Sequence, residues 1–219
     1  MNKSISGFDK WGLEGFILDA IIERGWKEPT EIQIESVPPA RKGRDIVGQA
    51  RTGSGKTAAF GIPILEKCSP TGSIQGIILC PTRELAVQVS GELSILQGKK
   101  GLNIRTVYGG TDIEKQAKNL QKGADIVVGT PGRVIDMSKR GHLELGNISL
   151  FCLDEADRML DMGFFPDVLW IFEKMANREQ TLLFSATFPQ EVLDAAEEFL
   201  DDPVHVMSED LVVEVPEID

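Results

Sequence analysis

The chain has 219 residues, of which 42% are hydrophobic, and its formal net charge at pH 7 is −11. This length and hydrophobic content predict a single domain whose core is large enough to be stable without disulfides. No apolar run approaches the roughly 18 residues of a membrane span, and the first fifteen residues lack the core of a signal peptide. The composition therefore excludes a membrane protein and predicts a cytoplasmic one.

The negative charge is concentrated at the C-terminal end. Residues 201–219 contain seven acidic side chains and no Lys or Arg, which leaves 27 acidic and 23 basic residues, a net charge of −4, in residues 1–200. Affinity for nucleic acid normally depends on Lys and Arg contacts with phosphates. This balance predicts weak binding of nucleic acid, unless a local basic track exists.

The cysteines and histidines do not form a metal-binding pattern. Cys68, Cys80 and Cys152 are odd in number and lack the spacing of metal ligands, and two of them lie in apolar, strand-like runs. They are predicted to be buried free thiols in a reducing compartment. His142 and His205 are too few and too far apart to indicate a metal site.

Helical and strand patterns alternate along the chain. A first helix is predicted over residues 11–24, with Gly25 as its C-cap. Strands are predicted at 45–49, 76–80, 103–108, 125–128, 149–153, 181–184 and, more weakly, 204–207. Further helices are predicted at 55–67, 83–96, 112–122, 131–140, 166–176 and 188–200. This alternation indicates βαβ units, and hence an α/β fold with a mostly parallel, twisted sheet and helices on both faces.

The loop Ala-Arg-Thr-Gly-Ser-Gly-Lys-Thr, residues 50–57, joins the first predicted strand to the next helix. Gly53 and Gly55 would let the backbone turn tightly and direct its N–H groups inward, which makes an anion-binding nest at a helix N-terminus. Ala50 stands where the usual phosphate-loop pattern has glycine, and it is interpreted as a small-residue variant. The alternative interpretation is a Gly/Ser-rich surface turn.

The side chains of this loop suit a nucleotide. Lys56 would reach the β- and γ-phosphates, and the Thr57 hydroxyl would bind Mg²⁺. Thr52 and Ser54, which flank Gly53, complete the predicted nucleotide-binding set.

An acidic tetrapeptide, Asp-Glu-Ala-Asp, begins at Asp154, directly after the apolar run 148–153. That run is typical of a central parallel strand, and open α/β sheets place their ligands at the carboxyl ends of such strands. Asp154 is therefore the predicted Mg²⁺ partner, partly through water, and Glu155 is predicted to orient or deprotonate the attacking water. The alternative is an acidic helix start, which the helix dipole favours. Together with the phosphate loop, the tetrapeptide predicts ATP hydrolysis.

Over nearly all its length, the chain resembles the first RecA-like domain of the DEAD-box RNA helicases. Besides the phosphate loop and the acidic tetrapeptide, the resemblance rests on the Q motif at 25–33 with Phe8 upstream, motif Ia at 81–86, a double glycine at 109–110, motif Ib at 130–133 and motif III at 185–187. It implies a RecA-like P-loop NTPase domain over residues 1–207, followed by the acidic start of an interdomain linker at 208–219.

The resemblance implies that Gln33 reads the adenine edge and selects ATP over GTP, with Trp26 and Phe8 beside the base. An amide can pair with both N6 and N7 of adenine. The residues alone leave a second interpretation open, because Thr30 and Gln33 have the spacing of a capping box. Lone aromatic residues such as Phe8 are also more often part of a core.

The resemblance further implies a face that binds RNA backbone without reading its sequence. The residues at its motif positions are Pro81, Thr82, Arg83, Gly109, Gly110, Thr130 and Arg133. From the residues alone, Thr82 and Thr130 are equally helix caps, and Arg133 a solvated charge. Ser185 and Thr187 are implied to couple the ATP site, through Asp157, to RNA binding and domain closure.

A second RecA-like domain is the remaining implication. In the family it carries a His-Arg-x-Gly-Arg motif, absent from this sequence, whose arginines contribute ~10³–10⁵ in rate. We therefore expect an isolated, monomeric first domain that binds ATP, Mg²⁺ and one side of an RNA, hydrolyses ATP poorly and does not unwind duplexes alone.

Two other functional classes fit parts of the sequence. The first is a different P-loop enzyme, such as a GTPase or a small-molecule kinase. The sequence has no Asn-Lys-x-Asp guanine-reading element, and Gln33 predicts adenine. The second is a non-catalytic RNA- or protein-binding module, against which the intact Lys56, Thr57, Asp154 and Glu155 argue.

Overall fold

A computed structural model of the protein describes residues 7–208. Its strands are β1 (Ile46–Gln49), β2 (Gly76–Leu79), β3 (Ile104–Val107), β4 (Ile126–Gly129), β5 (Leu150–Leu153), β6 (Gln180–Ser185) and β7 (Val204–Met207). They form one sheet in the order β3-β4-β2-β5-β6-β1-β7, and every pair of neighbours is parallel. The predicted mostly parallel sheet is confirmed, and within the described residues it is wholly parallel.

Nine α-helices connect and cover these strands within residues 7–208. They are α1 (Gly15–Glu23), α2 (Glu31–Arg41), α3 (Lys56–Lys67), α4 (Arg83–Leu96), α5 (Ile113–Gln121), α6 (Pro131–Lys139), α7 (Ala156–Asp161), α8 (Phe165–Lys174) and α9 (Gln190–Phe199). Helices α1 to α4 bury their apolar faces in one hydrophobic cluster, and α5 to α9 bury theirs in a second. The sheet separates the two clusters. Its central strands β2, β4 and β5 are buried along their whole length, because helices cover both faces.

Three local features differ from the sequence-based expectation. Residues Gly7–Trp11 form a 3₁₀ helix, and α1 begins at Gly15 rather than at residue 11. Helix α2 is absent from the predicted helices, and only the capping-box spacing of Thr30 and Gln33 indicated its start. Pro38 and Pro39 lie inside it, although proline normally ends a helix. Pro38 has no N–H for the Ile34 carbonyl group four residues earlier, and Pro39 has none for that of Glu35; both Ile34 and Glu35 are exposed residues. The six-residue α7 is too short to show a periodic pattern.

The parallel sheet determines where ligands can bind. All carboxyl ends of the strands lie at one edge, so the loops that follow β1, β2, β3, β4, β5 and β6 gather there. These loops contain most of the motif residues identified in the sequence. The last predicted strand is present as β7, whereas residues 209–219 of the predicted linker lie outside the described residues. Within residues 7–208, no helix is both long and apolar enough to cross a membrane.

All three cysteines are buried and free, as predicted. Burial raises the pKa of Cys68 to about 12, and it raises the pKa of Cys80 and Cys152 well above the usual value. Because the thiolate is the reactive form, we expect none of these thiols to react with a maleimide at pH 7 in the folded protein. All three should react after denaturation in urea. Rapid labelling of the folded protein, measured by mass spectrometry, would contradict this burial.

Candidate active site

The phosphate loop connects β1 to α3 at the carboxyl edge of the sheet. Gly53 and Gly55 have φ angles of 85° and 86°, in the left-handed region that glycine adopts without strain. Gly55 is the N-cap of α3, which begins at Lys56. The loop thus has the predicted turn, and it leads into a helix N-terminus, where backbone N–H groups favour an anion.

Lys56 joins this loop to the acidic tetrapeptide. Its Nζ lies 2.9 Å from Oδ1 of Asp154 and 3.3 Å from Oε1 of Glu155. The hydroxyl of Thr52 donates to the same Glu155 oxygen at 3.2 Å. Lys56 is 5% exposed and Asp154 is fully buried, so the loop is folded down onto the two carboxylates.

The positive charge of Lys56 and the negative charges of Asp154 and Glu155 stabilise each other. Burial raises the pKa of Asp154 above its usual value, although the Lys56 ammonium group opposes that shift. Burial lowers the pKa of Lys56, but the Asp154 and Glu155 carboxylates outweigh it, and the net pKa is raised. Lys56 is therefore positively charged at neutral pH, and its charge stabilises a carboxylate that has no access to water.

The donor set near Asp154 fits a magnesium ion held jointly with a nucleotide. Asp154 Oδ2 is buried and has no hydrogen-bond partner among the described residues, so it is available to a cation or to its bound water. The Thr57 side chain lies on the first turn of α3, beside the same loop. Residues 7–208 contain no group of three His, Cys, Asp or Glu residues that could hold a metal unaided. Mg²⁺ typically uses one or two carboxylates together with substrate phosphates.

Glu155 has an unusual backbone. Its φ and ψ are 56° and 55°, the left-handed region, and it is one of two such non-glycine residues in the described chain. Such conformations cost roughly 1–3 kcal/mol and cluster at functional sites. Glu155 precedes α7, and its second oxygen accepts from Arg158 at 3.3 Å. The sharp turn therefore places this carboxylate over the phosphate loop.

Gln33 contacts the phosphate loop as well as capping its own helix. Its Oε1 accepts from the Thr30 N–H at 3.0 Å, as a capping box requires, and its Nε2 donates to the Gly55 carbonyl at 3.1 Å. The capping interpretation is thus confirmed. The second contact was not predicted, because no local pattern relates residues 22 positions apart.

The two aromatic residues of the predicted base site are in different environments. Trp26 is half-buried, and it lines a cleft of about 270 Å³ together with Thr52, Lys56 and Glu155. Phe8 is 1% exposed and belongs to the core, where it stacks behind Trp26 with ring centroids 6.3 Å apart. Phe8 therefore supports Trp26 from behind in this conformation, and its contact with a base stays a prediction.

The predicted coupling residues form one hydrogen-bond network. The Ser185 hydroxyl accepts from the Asp157 N–H at 3.0 Å and donates to the Thr187 carbonyl at 2.7 Å. Asp157 Oδ2 accepts from both the N–H and the hydroxyl of Thr187, at 3.1 and 2.9 Å. The start of α7, next to Glu155, is thereby fixed to the loop that follows β6.

Two loops of the predicted RNA face follow β2 and β3. Thr82 is a helix cap, since its hydroxyl accepts from the Leu85 N–H at 3.2 Å. The exposed Arg83 guanidinium lies 4.9 Å from the centre of the Tyr108 ring. Pro81 is buried, so its ring shapes the loop, and its part in binding RNA stays a prediction. Gly109 and Gly110 are exposed, and Gly110 has a φ of 80°.

The loop after β4 provides the rest of this face. Thr130 is the residue before α6, but its side chain makes no capping hydrogen bond. Arg133 is half-buried and donates to Gln116 Oε1 at 3.0 Å and to the Thr111 carbonyl at 3.2 Å. It is therefore not the free, solvated charge of the alternative interpretation. The structure brings these predicted positions to the same edge of the sheet as Lys56.

Comparison with known proteins identifies the family. Residues 30–195 match the family described as DEAD/DEAH box helicase. The chain belongs to this helicase family. It is 45% identical over 212 residues to the DEAD-box ATP-dependent RNA helicase CshA of Bacillus cereus, covering 96% of this chain and 40% of that protein. It is 47% identical over 200 residues to CshA of Streptococcus pneumoniae, covering 91% and 38%.

Solved structures show the same RecA-like fold. A DEAD box protein from the hyperthermophile Methanococcus jannaschii has a TM-score of 0.89 at 46% identity, over 93% of this chain and 56% of that one. A hypothetical ATP-dependent RNA helicase from Sulfolobus tokodaii has a TM-score of 0.83 at 37% identity, over 89% and 57%. Compared with its curated relatives in Bacillus and Streptococcus, the chain spans about 40% of their length.

Four residues that line the cleft of this helicase-family domain were not predicted from the sequence. Leu85, Gln88 and Glu92 line it from α4, and Arg24 lines it beside Trp26, with its guanidinium 4.6 Å from the ring centre. The spacing of three and four residues places the α4 set on one helix face. That spacing was visible in the sequence, but nothing in it distinguished a cleft-lining face from a solvated one.

The two loop glycines provide a matched pair of substitutions. A Cβ at Gly55 would lie 2.6 Å from Gln33 Nε2 and 2.7 Å from Thr30 Oγ1, whereas one at Gly53 would meet nothing within 4 Å. Alanine at either position should cost about 1–2 kcal/mol for its left-handed backbone. Gly55→Ala should cost about 1–3 kcal/mol more, because the buried Gln33 side chain would have to shift and break its hydrogen bonds to Thr30 and Gly55. Urea denaturation gives the free energy of unfolding of both variants. Equal losses of stability would contradict the contact between Gln33 and the loop.

Proposed function

We propose that the chain is the N-terminal, nucleotide-binding RecA-like domain of an ATP-dependent RNA helicase, with residues 1–207 as the domain and 208–219 as the start of a linker. The observation that carries this proposal is the convergence of the phosphate loop and the acidic tetrapeptide. Lys56 lies within 2.9 and 3.3 Å of Asp154 and Glu155, although 98 residues separate Lys56 from Asp154 in the sequence.

The residues of the site have complementary roles toward ATP. The backbone N–H groups of the phosphate loop would bind the phosphates, and Lys56 would exchange its two carboxylate partners for the β- and γ-phosphates. Thr57 and Asp154 would hold Mg²⁺, partly through water, and the bound ion would neutralise charge on the phosphate oxygens. Glu155 would orient the attacking water and accept its proton. Release of Lys56 from Glu155 would leave that carboxylate free to do so.

Gln33 is suited to reading adenine even though it is already hydrogen-bonded. An amide oxygen accepts two hydrogen bonds and an amide nitrogen donates two. The Thr30 N–H uses one acceptor position on Gln33 Oε1, and the Gly55 carbonyl uses one donor position on Gln33 Nε2. One acceptor and one donor position of the Gln33 amide therefore remain. Those are the two that the N6 and N7 edge of adenine requires. Trp26 lines the cleft next to the loop and would pack beside the base.

RNA would bind along the same edge of the sheet. The exposed glycine backbone at Gly109 and Gly110, together with Arg83, Thr130 and Arg133, offers contacts suited to phosphates and sugars rather than to base edges. The network of Asp157, Ser185 and Thr187 would transmit the state of the ATP site, since it fixes the start of α7 beside Glu155.

A second RecA-like domain would complete the enzyme. The curated relatives are longer than this chain, which covers about 40% of the Bacillus cereus protein. Arginines from such a domain would stabilise the transition state and close around the RNA, whereas the first domain alone would hydrolyse ATP slowly. We further propose that the protein acts as a monomer in the cytoplasm, where three buried free thiols are stable.

Steady-state hydrolysis by the protein at its natural length tests this function. ATP turnover should rise when single-stranded RNA is added, and GTP turnover should stay low with or without RNA. Turnover that RNA does not change, or equal use of ATP and GTP, would overturn the proposal.

A further inference from the structure

Gln116 is a buried amide that the nucleotide site does not explain. It lies on α5 and is 8% exposed. Its Oε1 accepts from the Tyr108 N–H at 3.2 Å and from Arg133 Nη1 at 3.0 Å. Its Nε2 donates to the Tyr108 carbonyl at 3.0 Å and to the Thr111 hydroxyl at 2.8 Å. All four hydrogen-bonding positions of the side chain are therefore used.

These partners surround the double-glycine loop. Tyr108 and Thr111 are the residues on either side of Gly109 and Gly110, so the Gln116 side chain clamps both ends of that loop. The glycines themselves would have no atom within 4 Å of a Cβ, and they are exposed. The Gln116 side chain thus holds both ends of a loop whose two glycines are open to solvent.

The same amide connects the other two loops of this face. Arg133, from the loop after β4, donates to Gln116 and also to the Thr111 carbonyl. Arg83, from the loop after β2, stacks on the Tyr108 ring at 4.9 Å. Arg133 retains three of its five N–H donors, because only one on Nη1 and one on Nη2 are used by described residues.

No other side chain of this size can replace the amide. A carboxylate of the same length could accept from Tyr108 and Arg133, but it could not donate to the Tyr108 carbonyl. Methionine has nearly the same shape and offers neither function. With methionine, the half-buried Tyr108 would lose the partner of its N–H, and its carbonyl would keep only the Thr111 hydroxyl, at 3.4 Å.

We propose that Gln116 is a positioning residue for RNA binding, which orders the double-glycine loop and Arg133 as one surface. This inference rests on the proposed function, since it assumes that the carboxyl edge of the sheet contacts RNA. Gln116 itself touches no RNA. Its effect is transmitted through Arg133 and through the backbone of the loop.

The test compares four variants of the protein at its natural length. The probe is a fluorescent single-stranded oligouridylate, with a non-hydrolysable ATP analogue and Mg²⁺ present. Arg133→Ala provides the reference for loss of a phosphate contact, and Gln116→Met removes the clamp. The third variant combines both. Gln97→Met is the matched control, because Gln97 is also a buried amide that bonds backbone groups, those of Leu102, but at the opposite edge of the sheet.

Arg133→Ala and Gln116→Met should each weaken RNA binding about tenfold, the effect of one hydrogen bond to a charged group. Each should also reduce the slope of log affinity against log salt by about one. The combined variant should bind no more weakly than Gln116→Met, because coupled residues are not additive. ADP affinity should be unchanged in all variants. Gln97→Met should lower the melting temperature without changing RNA affinity or its salt slope.

The outcomes separate the inference from the function on which it rests. Normal RNA affinity in Arg133→Ala would overturn the proposed RNA face, and the role of Gln116 with it. A loss in Arg133→Ala with normal affinity in Gln116→Met, or a combined loss equal to the product of the two, would overturn only the role of Gln116. If Gln116→Met does not fold, Gln116→Glu keeps both acceptor contacts and should still bind RNA more weakly; normal binding by that variant would overturn the inference.

Discussion

Replacing Lys56 with methionine should abolish nucleotide binding and destabilise the folded protein by about 3 kcal/mol, the lower end of the range for breaking a buried ion pair. The side chains of Lys56 and Asp154 are 6% and 0% exposed. Methionine would leave the Asp154 carboxylate buried without a counter-charge, and it would remove the cation that contacts phosphates. Urea denaturation gives the free energy of unfolding, and calorimetric titration with ADP and Mg²⁺ gives the affinity.

The cause of this destabilisation can be separated from the loss of binding. The double variant Lys56→Met with Asp154→Asn should recover most of the lost stability, because no uncompensated charge remains, but it should still not bind ADP. If the double variant were as unstable as the single one, the ion pair would not be the cause.

The pH dependence of Lys56→Met follows from the same pair. Burial already raises the pKa of Asp154, and Lys56 opposes that shift, so removing Lys56 should raise the pKa further. A carboxyl group whose pKa is raised by folding destabilises the protein in its ionised form. This cost is full above the folded pKa, shrinks as the pH falls below it, and is gone once the pH is below the unfolded pKa. The variant should therefore approach the stability of the unmodified protein at mildly acidic pH, and a constant difference would contradict this mechanism.

Glu155→Gln should reduce the rate of ATP hydrolysis by roughly 10²–10⁴-fold, the usual contribution of a general base. Glutamine can still accept from Thr52 and Lys56, so the loop and the ATP affinity should change little. Single-turnover hydrolysis in the presence of single-stranded RNA, at saturating ATP, separates the chemical step from binding.

Asp161→Asn is the matched control for this variant. It also removes one negative charge from the region of α7, but Asp161 is exposed at the end of that helix. The Asp161→Asn variant should hydrolyse ATP at the rate of the unmodified protein. Turnover by Glu155→Gln at the normal rate would mean that another group activates the water.

The strands were predictable from sequence because parallel, doubly covered strands appear as short apolar runs between turns. The central strands β2, β4 and β5 all match such runs to within about one residue at each end. Helices with a clear apolar face, such as α4, were predicted equally well. The length of α2 was not, because tertiary packing and exposure of Ile34 overrode the local effect of two prolines.

The site was predictable to a different degree. The predicted parallel sheet placed Lys56 and Asp154 at the same edge, since each follows a strand. The contacts of Lys56 with the two carboxylates depend on the charge balance of the folded cleft. No local sequence pattern indicates that balance. The role of Gln116 could not be predicted, because its three partner residues lie 5, 8 and 17 positions away and follow no local pattern. Phe8 was ambiguous for the same reason, since only packing decides between a core ring and a cleft ring.

Calorimetric titration of the protein with ADP and, separately, with GDP, both in the presence of Mg²⁺, tests the central claim most directly. Gln33 and the phosphate loop together predict that ADP binds and that GDP binds far more weakly. Binding of neither nucleotide by the protein at its natural length, or equal binding of both, would contradict an adenine-specific phosphate site built on Gln33 and Lys56.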